Sequence, residues 1–422
     1  MLRATRLLFS IRLFCTAVLL CVLATSTSAA NAPNEKPERW VGAWASAQVL
    51  AEADKALPGN TSQNVTLRQI VRLSLGGSAL RVRVSNVYGT EPLRVSALHV
   101  ARPLSLPSSR IDVETDRAVT FDARTDVIIP AGAELTSDPV NVMVESLSSL
   151  AITMQLESVP IQQTTHIASH TTSYVSVGDK ANAPKLKSAR AVDHWYFLSA
   201  VDVRTAEGSA IVALGDSITD GSGSTKNANN RWVDVLAERL QRSAAHRHIG
   251  VLNAGIGGNC LVRSCNGPNA LARFDRDVLA RSGVGYLMLL EGINDLGTLT
   301  RDGAVPDSEH QDLVRRMIQA YREIVQRART HGIKVIAGTL LPFRGFEVYR
   351  PDKINEFDRQ LINAWIRTPG NFDAVIDFDK LASDPERPDW LLAEYDSGDH
   401  IHPSPDGYRA MGEAIALELF ER

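Results

Sequence analysis

The chain has 422 residues, of which 44% are hydrophobic and 22% are charged. This length is enough for two domains, and the composition is typical of a globular protein with sizeable cores. The formal net charge of −3 excludes the broad basic surface that a nucleic-acid partner would require. The sequence contains no low-complexity tract and no internal repeat.

The first thirty residues have the pattern of a secretory signal peptide. Three arginines fall among the first twelve residues, an apolar run at 13–24 is too short for a membrane-spanning helix, and small residues follow at 28–30. An uncleaved membrane anchor is the alternative interpretation. We therefore expect residues 1–30 to be removed and the mature chain to be secreted, into the periplasm or the medium, without stable membrane insertion.

Residues 37–205 are predicted to form an all-β, sandwich-like accessory domain. Hydrophobic and polar residues alternate in short runs that glycine and proline separate, a pattern typical of β-strands. The clearest runs lie at residues 80–87, 141–144 and 150–156. A polar stretch at 178–193, rich in alanine and lysine, is predicted to be a long loop, and a last strand is expected at 195–203.

Residues 206–422 follow a different pattern, in which buried strands alternate with amphipathic helices. The predicted strands lie at residues 211–214, 249–252, 286–290, 334–337 and 374–376. The predicted helices lie at residues 232–243, 271–281, 312–331, 354–366 and 406–420. This alternation indicates an α/β domain with a five-stranded parallel sheet between helices. In such sheets the ligand binds at the carboxyl ends of the strands.

Three glycine-containing loops follow the first three predicted strands and carry residues suited to acyl transfer. The first, Gly215 to Gly221, places Ser217 on a turn that would expose its hydroxyl group. The second, at 253–259, contains glycines whose backbone N–H groups could approach a developing oxyanion. The third, at 291–295, contains Asn294, whose neutral amide is a suitable oxyanion donor. Each loop taken alone is also consistent with an ordinary turn.

The segment from Asp399 to Pro403 supplies a candidate base. A serine hydroxyl needs a base to become an effective nucleophile, and a histidine oriented by a carboxylate suits that task near neutral pH. Asp399 and His402 are three residues apart, so a single turn could join them. His400 is a competitor for the role of base. No third ligand accompanies this pair, and we therefore predict no metal site.

Two of the four cysteines fall within the predicted signal peptide, which leaves Cys260 and Cys265 in the mature chain. They enclose four residues in a loop that contains asparagine, glycine and proline. In an oxidising compartment such a pair is predicted to form a disulfide, and two free thiols are the alternative.

The three loops and the segment from Asp399 to Pro403, taken in this order, resemble the four sequence blocks of the SGNH/GDSL serine hydrolase family. The resemblance covers residues 209–422. It implies a flavodoxin-like SGNH hydrolase domain that needs no cofactor. It also implies a Ser-His-Asp triad of Ser217, His402 and Asp399 that acts through an acyl-enzyme.

The resemblance further implies an oxyanion hole formed by the backbone N–H groups of Ser217 and Gly258 and by the side chain of Asn294. Two positions depart from the family pattern: Ile218 stands where the family has leucine, and Asn259 where aspartate is frequent. The glycine is the least specific assignment, because the glycines at 255 and 257 compete with Gly258.

The substrate is indicated by the layout of the chain. A β-rich segment before an SGNH domain is similar to the layout of secreted bacterial proteins of the xylan-associated arylesterase and acetylesterase type, as are the stretches at 40–44, 67–71 and 85–89. This likeness implies removal of acetyl or other short acyl groups from carbohydrate, with a small ester or an acylated polysaccharide as the partner. A lysophospholipase or broad-specificity arylesterase is the first alternative, and a carbohydrate-binding protein with a vestigial hydrolase is the second.

Overall fold

The computed structural model describes residues 38–57 and 63–421. The predicted signal peptide lies outside the described residues. We call the described residues up to 205 the β region and residues 206–421 the α/β region.

The β region is built from strands in which apolar side chains turn toward a shared core. In β4, for example, the leucine and valine side chains are buried, and the two arginines between them are only partly exposed. The strands are β1 (Arg39–Ala45), β2 (Val49–Leu50), β3 (Val65–Arg72), β4 (Ala79–Ser85), β5 (Leu93–Pro103), β6 (Ile111–Val119), β7 (Val127–Ile129), β8 (Glu134–Thr136), β9 (Ser149–Leu156), β10 (Thr164–Ile167), β11 (Ser173–Val177), β12 (Arg190–Val192), β13 (His194–Tyr196) and β14 (Leu198–Thr205).

These strands form three antiparallel sheets. One has the order β1-β14-β4-β8, and a second has the order β13-β10-β2. The largest has the order β12-β11-β3-β9-β5-β6, with β7 paired to β5. Strand β9 is buried along almost its whole length because β3 and β5 flank it on both sides. The all-β character predicted for this part of the chain is confirmed.

Three predictions for the β region differ in detail from the structure. Residues 141–144 do not form a regular strand; Val144 makes only an isolated bridge with Gly77, and Met143 is 73% exposed. The single strand expected at 195–203 is divided into β13 and β14, because Phe197 between them adopts a positive φ of 57°. The predicted loop at 178–193 contains the short edge strand β12.

The α/β region alternates strands and helices as predicted. Its strands are β15 (Ser209–Gly215), β16 (Ile249–Gly255), β17 (Val284–Leu290), β18 (Lys334–Gly338) and β19 (Ala374–Ile376). Its helices are α1 (Ser217–Asp220), α2 (Trp232–Arg242), α3 (Ala270–Phe274), α4 (Ile293–Thr300), α5 (Asp307–Thr330), α6 (Lys353–Arg367), α7 (Phe378–Ala382) and α8 (Pro405–Glu413). A π-helical turn (Asp275–Leu279) follows α3, and a 3₁₀ turn (Leu417–Phe420) follows α8.

The five strands of this region form one parallel sheet with the order β16-β15-β17-β18-β19. Numbered within the region this is the order 2-1-3-4-5 of flavodoxin-like folds. Strand β15 lies between β16 and β17, so all seven of its residues are buried. The carboxyl ends of these three neighbouring strands bring the three predicted loops to one edge of the sheet.

The ends of helices α4 and α8 are fixed by tertiary contacts. Helix α4 includes residues 297–300, and Gly297 is needed there because a Cβ atom would lie 2.0 Å from the ring of Tyr349. Helix α8 ends at Glu413 rather than continuing to residue 420. Its end is held by Arg239, which donates to the carbonyls of Gly412 (2.7 Å) and Ile415 (2.6 Å).

The two regions form one compact unit with a continuous hydrophobic core. Strand β1 lies against β16, where Gly42 approaches the side chain of Leu252 so closely that a Cβ atom would lie 2.7 Å from it. Backbone contacts join the regions as well: the N–H of Gly42 donates to Ser282 O (2.9 Å), and the N–H of Val251 donates to Ser74 Oγ (2.8 Å). No helix in the described part of the chain combines the length and hydropathy needed to cross a membrane.

Candidate active site

Ser217 lies directly after β15, at the first position of the short helix α1. Asp216 caps this helix, since its carboxylate accepts a hydrogen bond of 2.9 Å from the N–H of Ile218. The cap forces the chain from an extended strand into a helical turn within one residue. The turn places the hydroxyl group of Ser217 at the carboxyl edge of the sheet.

His402 and Asp399 lie next to this hydroxyl group. The Nε2 atom of His402 is 2.8 Å from Ser217 Oγ, and its Nδ1 atom is 2.5 Å from Asp399 Oδ2. The second oxygen of Asp399 accepts the backbone N–H groups of Ile401 (3.2 Å) and His402 (2.9 Å). A spacing of three residues therefore brings Asp399 to the His402 ring, because one Asp399 oxygen closes the turn and the other orients the imidazole.

The carboxyl of Asp399 is held in its ionised form. Burial raises its pKa, but the hydrogen bonds from the His402 ring and from the two backbone N–H groups outweigh burial, and the pKa lies below its ordinary value. An ionised acceptor at Nδ1 fixes the tautomer in which Nε2 can accept the proton of Ser217.

The competitor His400 has a different environment. Its Nδ1 atom is 2.5 Å from Asp396 Oδ2, and its ring lies 5.2 Å from that of Trp390. Its backbone adopts a positive φ of 70°. The structure therefore brings His402, and not His400, to Ser217.

Asn294 is buried in the first turn of α4, with both ends of its amide fixed. Its Nδ2 atom donates to Asn259 O (2.7 Å), and its Oδ1 atom accepts from the hydroxyl group of Tyr349 (2.8 Å). Because a backbone carbonyl can only accept, the atom that faces Asn259 must be the nitrogen. The second N–H of this amide has no acceptor within residues 38–57 and 63–421, and it is free to meet a substrate oxygen.

The glycine loop after β16 lies on the serine turn. The N–H of Ile256 donates to Gly215 O (3.0 Å), and the N–H of Gly257 donates to Asp220 Oδ2 (3.2 Å). Among the described residues, the N–H groups of Ser217 and Gly258 meet no protein acceptor. On one side of Gly258, the N–H of Gly257 donates to Asp220, and on the other side the carbonyl of Asn259 accepts from Asn294. These contacts place the Gly258 peptide between the loop of Ser217 and Asn294.

Three buried carboxyl groups surround the site, and the sequence analysis missed their role. Burial raises the pKa of Asp216 to about 7 and that of Asp295 to about 6. Burial, together with the nearby Asp216, also raises the pKa of Glu291. The one signal in the sequence is that these acids lie next to Ser217 and Asn294 in the same loops.

Arg273, which the sequence analysis also missed, connects the loops below the site. Its side chain is fully buried and donates to Gly215 O (2.9 Å), Ala254 O (2.6 Å) and Asn259 Oδ1 (2.9 Å). Its guanidinium also meets Asp277 (3.2 Å) and Glu291 (3.4 Å). One cation thus joins the serine turn, the glycine loop and the end of β17.

Cys260 and Cys265 are joined by a disulfide, with their Cα atoms 5.6 Å apart. The loop they close is tied to α4, because Asp295 accepts the backbone N–H groups of Leu261 (2.6 Å) and Val262 (3.0 Å). The disulfide loop, the glycine loop and Asn294 therefore form one connected wall.

A pocket of about 610 Å³ opens beside this wall. Most of its lining side chains are polar or charged, and one, Glu52, comes from the β region. The lining residues are Glu52, Gly258, Arg263, Ser264, Cys265, Asn266, Thr298, Arg301, Asp302 and Tyr349. Gly258 and Tyr349, which contacts Asn294, line this pocket, so it lies beside the candidate site.

Comparisons with known proteins agree with this geometry. Residues 213–410 match the model of the GDSL-like Lipase/Acylhydrolase family. Comparison with curated proteins finds no match to the chain.

Solved structures similar to this chain include a GDSL-like lipase from Bacteroides thetaiotaomicron, with 22% identity over 50% of this chain and 87% of the other, at a TM-score of 0.38. They also include a catalytic mutant of an acetylxylan esterase from Geobacillus stearothermophilus, with 20% identity over 51% of this chain and 97% of the other, at a TM-score of 0.37.

The family match covers the loop with Ser217, the loop with Gly258, the loop with Asn294 and the turn with His402. Residues 213–410 are therefore similar to the GDSL-like lipase/acylhydrolase family, and the protein is a carboxylic ester hydrolase.

Proposed function

We propose that Ser217, His402 and Asp399 are the catalytic triad of this ester hydrolase. The observation that carries the proposal is the continuous pair of hydrogen bonds from Ser217 Oγ through the His402 ring to Asp399. We assign the oxyanion hole to the N–H groups of Ser217 and Gly258 and to the free amide N–H of Asn294.

The proposed reaction proceeds in two halves. His402 takes the proton of Ser217 while the Ser217 oxygen attacks the ester carbonyl, and the oxyanion rests on the three donors. The C–O bond to the alcohol then breaks as His402 returns the proton to the leaving oxygen. Water, deprotonated by His402, then attacks the acyl-enzyme. The bond from the acyl carbon to Ser217 Oγ breaks as His402 returns the proton to that oxygen, which releases the acid and free Ser217. Asp399 stays ionised throughout.

We propose acetyl or other short acyl groups on carbohydrate as the substrate. The polar lining of the pocket at Gly258 supports this, because sugar hydroxyl groups need hydrogen-bonding partners. The connection between α4 and α5, residues 301–306, is short and mostly exposed, and it offers no long apolar lid for a lipid chain. Secretion after removal of residues 1–30 fits an extracellular polymer substrate.

The triad is tested with p-nitrophenyl acetate on the wild type and on Ser217→Ala. We expect the variant to lose turnover by at least about 10³-fold while it stays folded. His402→Ala and His400→Ala form a matched pair on the same turn: the first should lose turnover to a similar extent, and the second should keep it. Turnover by Ser217→Ala at the wild-type rate would refute the triad.

The substrate is tested with a series of p-nitrophenyl esters from acetate to palmitate and with acetylated xylan. Highest turnover on acetate, with release of acetate from xylan, supports the carbohydrate proposal. Highest turnover on long chains would favour the lysophospholipase or broad-specificity arylesterase alternative. Binding of xylan without turnover of any ester would favour a carbohydrate-binding protein with a vestigial hydrolase.

A further inference from the structure

His166, in strand β10 of the β region, contacts the α/β region from a buried position. Its side chain is almost fully buried, and its ring lies 5.4 Å from the Trp195 ring. Its Nδ1 atom is 2.7 Å from Ala47 O, and its Nε2 atom is 3.0 Å from Asp220 Oδ1. The histidine therefore connects the β region to the last residue of α1, the helix that begins with Ser217.

The two partners of His166 determine where protons must lie. Ala47 O is a carbonyl oxygen, which can only accept, so Nδ1 carries a proton. An ionised carboxylate can also only accept, so a second proton must lie between Nε2 and Asp220 Oδ1. The contact is therefore a hydrogen bond between two almost fully buried side chains, and breaking it would leave buried polar atoms without a partner.

The other oxygen of Asp220 faces the glycine loop. Asp220 Oδ2 accepts the N–H of Gly257 at 3.2 Å, one residue before Gly258. The backbone of Asp220 also packs closely on this loop, because a Cβ atom on Gly255 would lie 2.3 Å from Asp220 N. The contacts thus run without a gap from Ala47 through His166 and Asp220 to the peptide that precedes the proposed oxyanion donor.

We propose that His166 is a positioning residue for the oxyanion hole. It fixes the carboxylate of Asp220 so that Oδ2 holds the Gly257 N–H, and the N–H of Gly258 is thereby aimed at the reacting carbonyl. The β region then supplies part of the support of the reaction centre, in addition to any role in binding polymer. This inference rests on the proposed function, since it assigns support to the oxyanion hole proposed there.

The first test is kcat and KM of His166→Phe with p-nitrophenyl acetate. Phenylalanine keeps a ring against Trp195 but offers no N–H. The variant would displace the N–H of Gly258 by a fraction of an ångström rather than remove it. We therefore expect kcat to fall by about 10–100-fold and KM to stay within about two-fold of the wild type. His99→Phe is the matched control, because His99 also pairs with an aspartate, Asp116 (3.0 Å), within the β region alone. It should leave kcat unchanged.

A second pair of variants guards against simple misfolding. In Asp220→Asn the introduced amide can accept from Gly257 with its oxygen and donate to Nε2 of His166 in the Nδ1–H tautomer, so all three hydrogen bonds persist. In Asp220→Ala the acceptor for Gly257 is lost. We expect Asp220→Asn to stay within about five-fold of the wild-type kcat and Asp220→Ala to lose about 10–100-fold.

The outcomes separate this inference from the proposed function. If Ser217→Ala is inactive and folded His166→Phe keeps the wild-type kcat, the positioning role is wrong and the triad stands. If His166→Phe does not fold, equal kcat values for Asp220→Asn and Asp220→Ala would overturn the inference. If Ser217→Ala remains active, the proposed function fails first.

Discussion

Replacement of Arg273 by lysine tests whether one buried cation holds the three loops of the site together. Arg273→Lys keeps the positive charge but replaces five N–H donors in a rigid fork with three donors on a single nitrogen. Arginine at this position reaches five acceptors, and three of them belong to the loops that carry Ser217 and Gly258.

The expected loss of stability follows from the acceptors that lysine cannot reach. Lysine has three N–H donors, so at least two of the five acceptors remain unpartnered around a fully buried side chain, and each costs about 1–3 kcal/mol. The free energy of unfolding should therefore fall by about 2–6 kcal/mol. Because the carbonyl of Gly215 stands two residues before Ser217, a shift of this turn should also lower kcat by about 10–100-fold.

Urea unfolding measures the first quantity, and steady-state hydrolysis of p-nitrophenyl acetate measures the second. Arg276→Lys is the control: Arg276 shares the partner Asp277 but otherwise contacts Gln48 O and stacks on Tyr88, away from the catalytic loops. It should keep kcat within about two-fold. An Arg273→Lys variant with wild-type kcat and a loss of unfolding free energy below about 1 kcal/mol would refute the reasoning.

Three further predictions concern the polar groups of the site. Asp399→Asn should lower kcat by about 10²–10⁴-fold, because an amide does not enforce the Nδ1–H tautomer of His402; pre-steady-state acylation measures this, and wild-type acylation would contradict it. Tyr349→Phe frees Oδ1 of Asn294 and should lower kcat by about 5-fold in steady-state assays; an unchanged kcat would show that the amide needs no such support. Burial raises the pKa of Asp216 to about 7, so the folded protein binds a proton that the unfolded chain releases near pH 4. Its stability therefore falls as the pH rises between these values. Urea unfolding should show that Asp216→Asn loses about 2 kcal/mol less than the wild type between pH 5 and pH 8, and equal losses would contradict the pKa.

The α/β region could be predicted from the sequence because its signals are local. A buried strand followed at once by a glycine-containing turn is visible in a few residues, and this pattern located β15, β16 and β17 with their loops. Ser217 and Asn294 lie on the first and third of these loops. The spacing of Asp399 and His402 was sufficient to predict that their side chains meet, since one turn of chain joins the two residues.

The supporting groups could not be predicted because they depend on tertiary contacts. Arg273 reads as an ordinary polar residue of a helix, and its role appears only when three loops surround it. The helix predicted at 271–281 continues after Phe274 as a π-helical turn, with Arg273 and Asp277 buried as an ion pair. Neither the irregular turn nor the burial of these charges follows from hydrophobic periodicity, which treats charged residues as exposed.

The contacts of the β region bear on how the chain should be divided. The change of pattern near residue 205 is real, since antiparallel strands precede it and parallel strands follow it. The core nevertheless continues across this point, and β14 and β15 are separated by only the residues 206–208. Buried polar contacts cross it as well, from His166 to Asp220 (3.0 Å) and from the N–H of Val251 to Ser74 Oγ (2.8 Å). Separation of the two regions would take these buried polar groups away from their partners. This would cost more free energy than exposure of apolar surface alone. The two regions thus have separate sheets but share one hydrophobic core, and both contribute contacts that support the loop of Ser217.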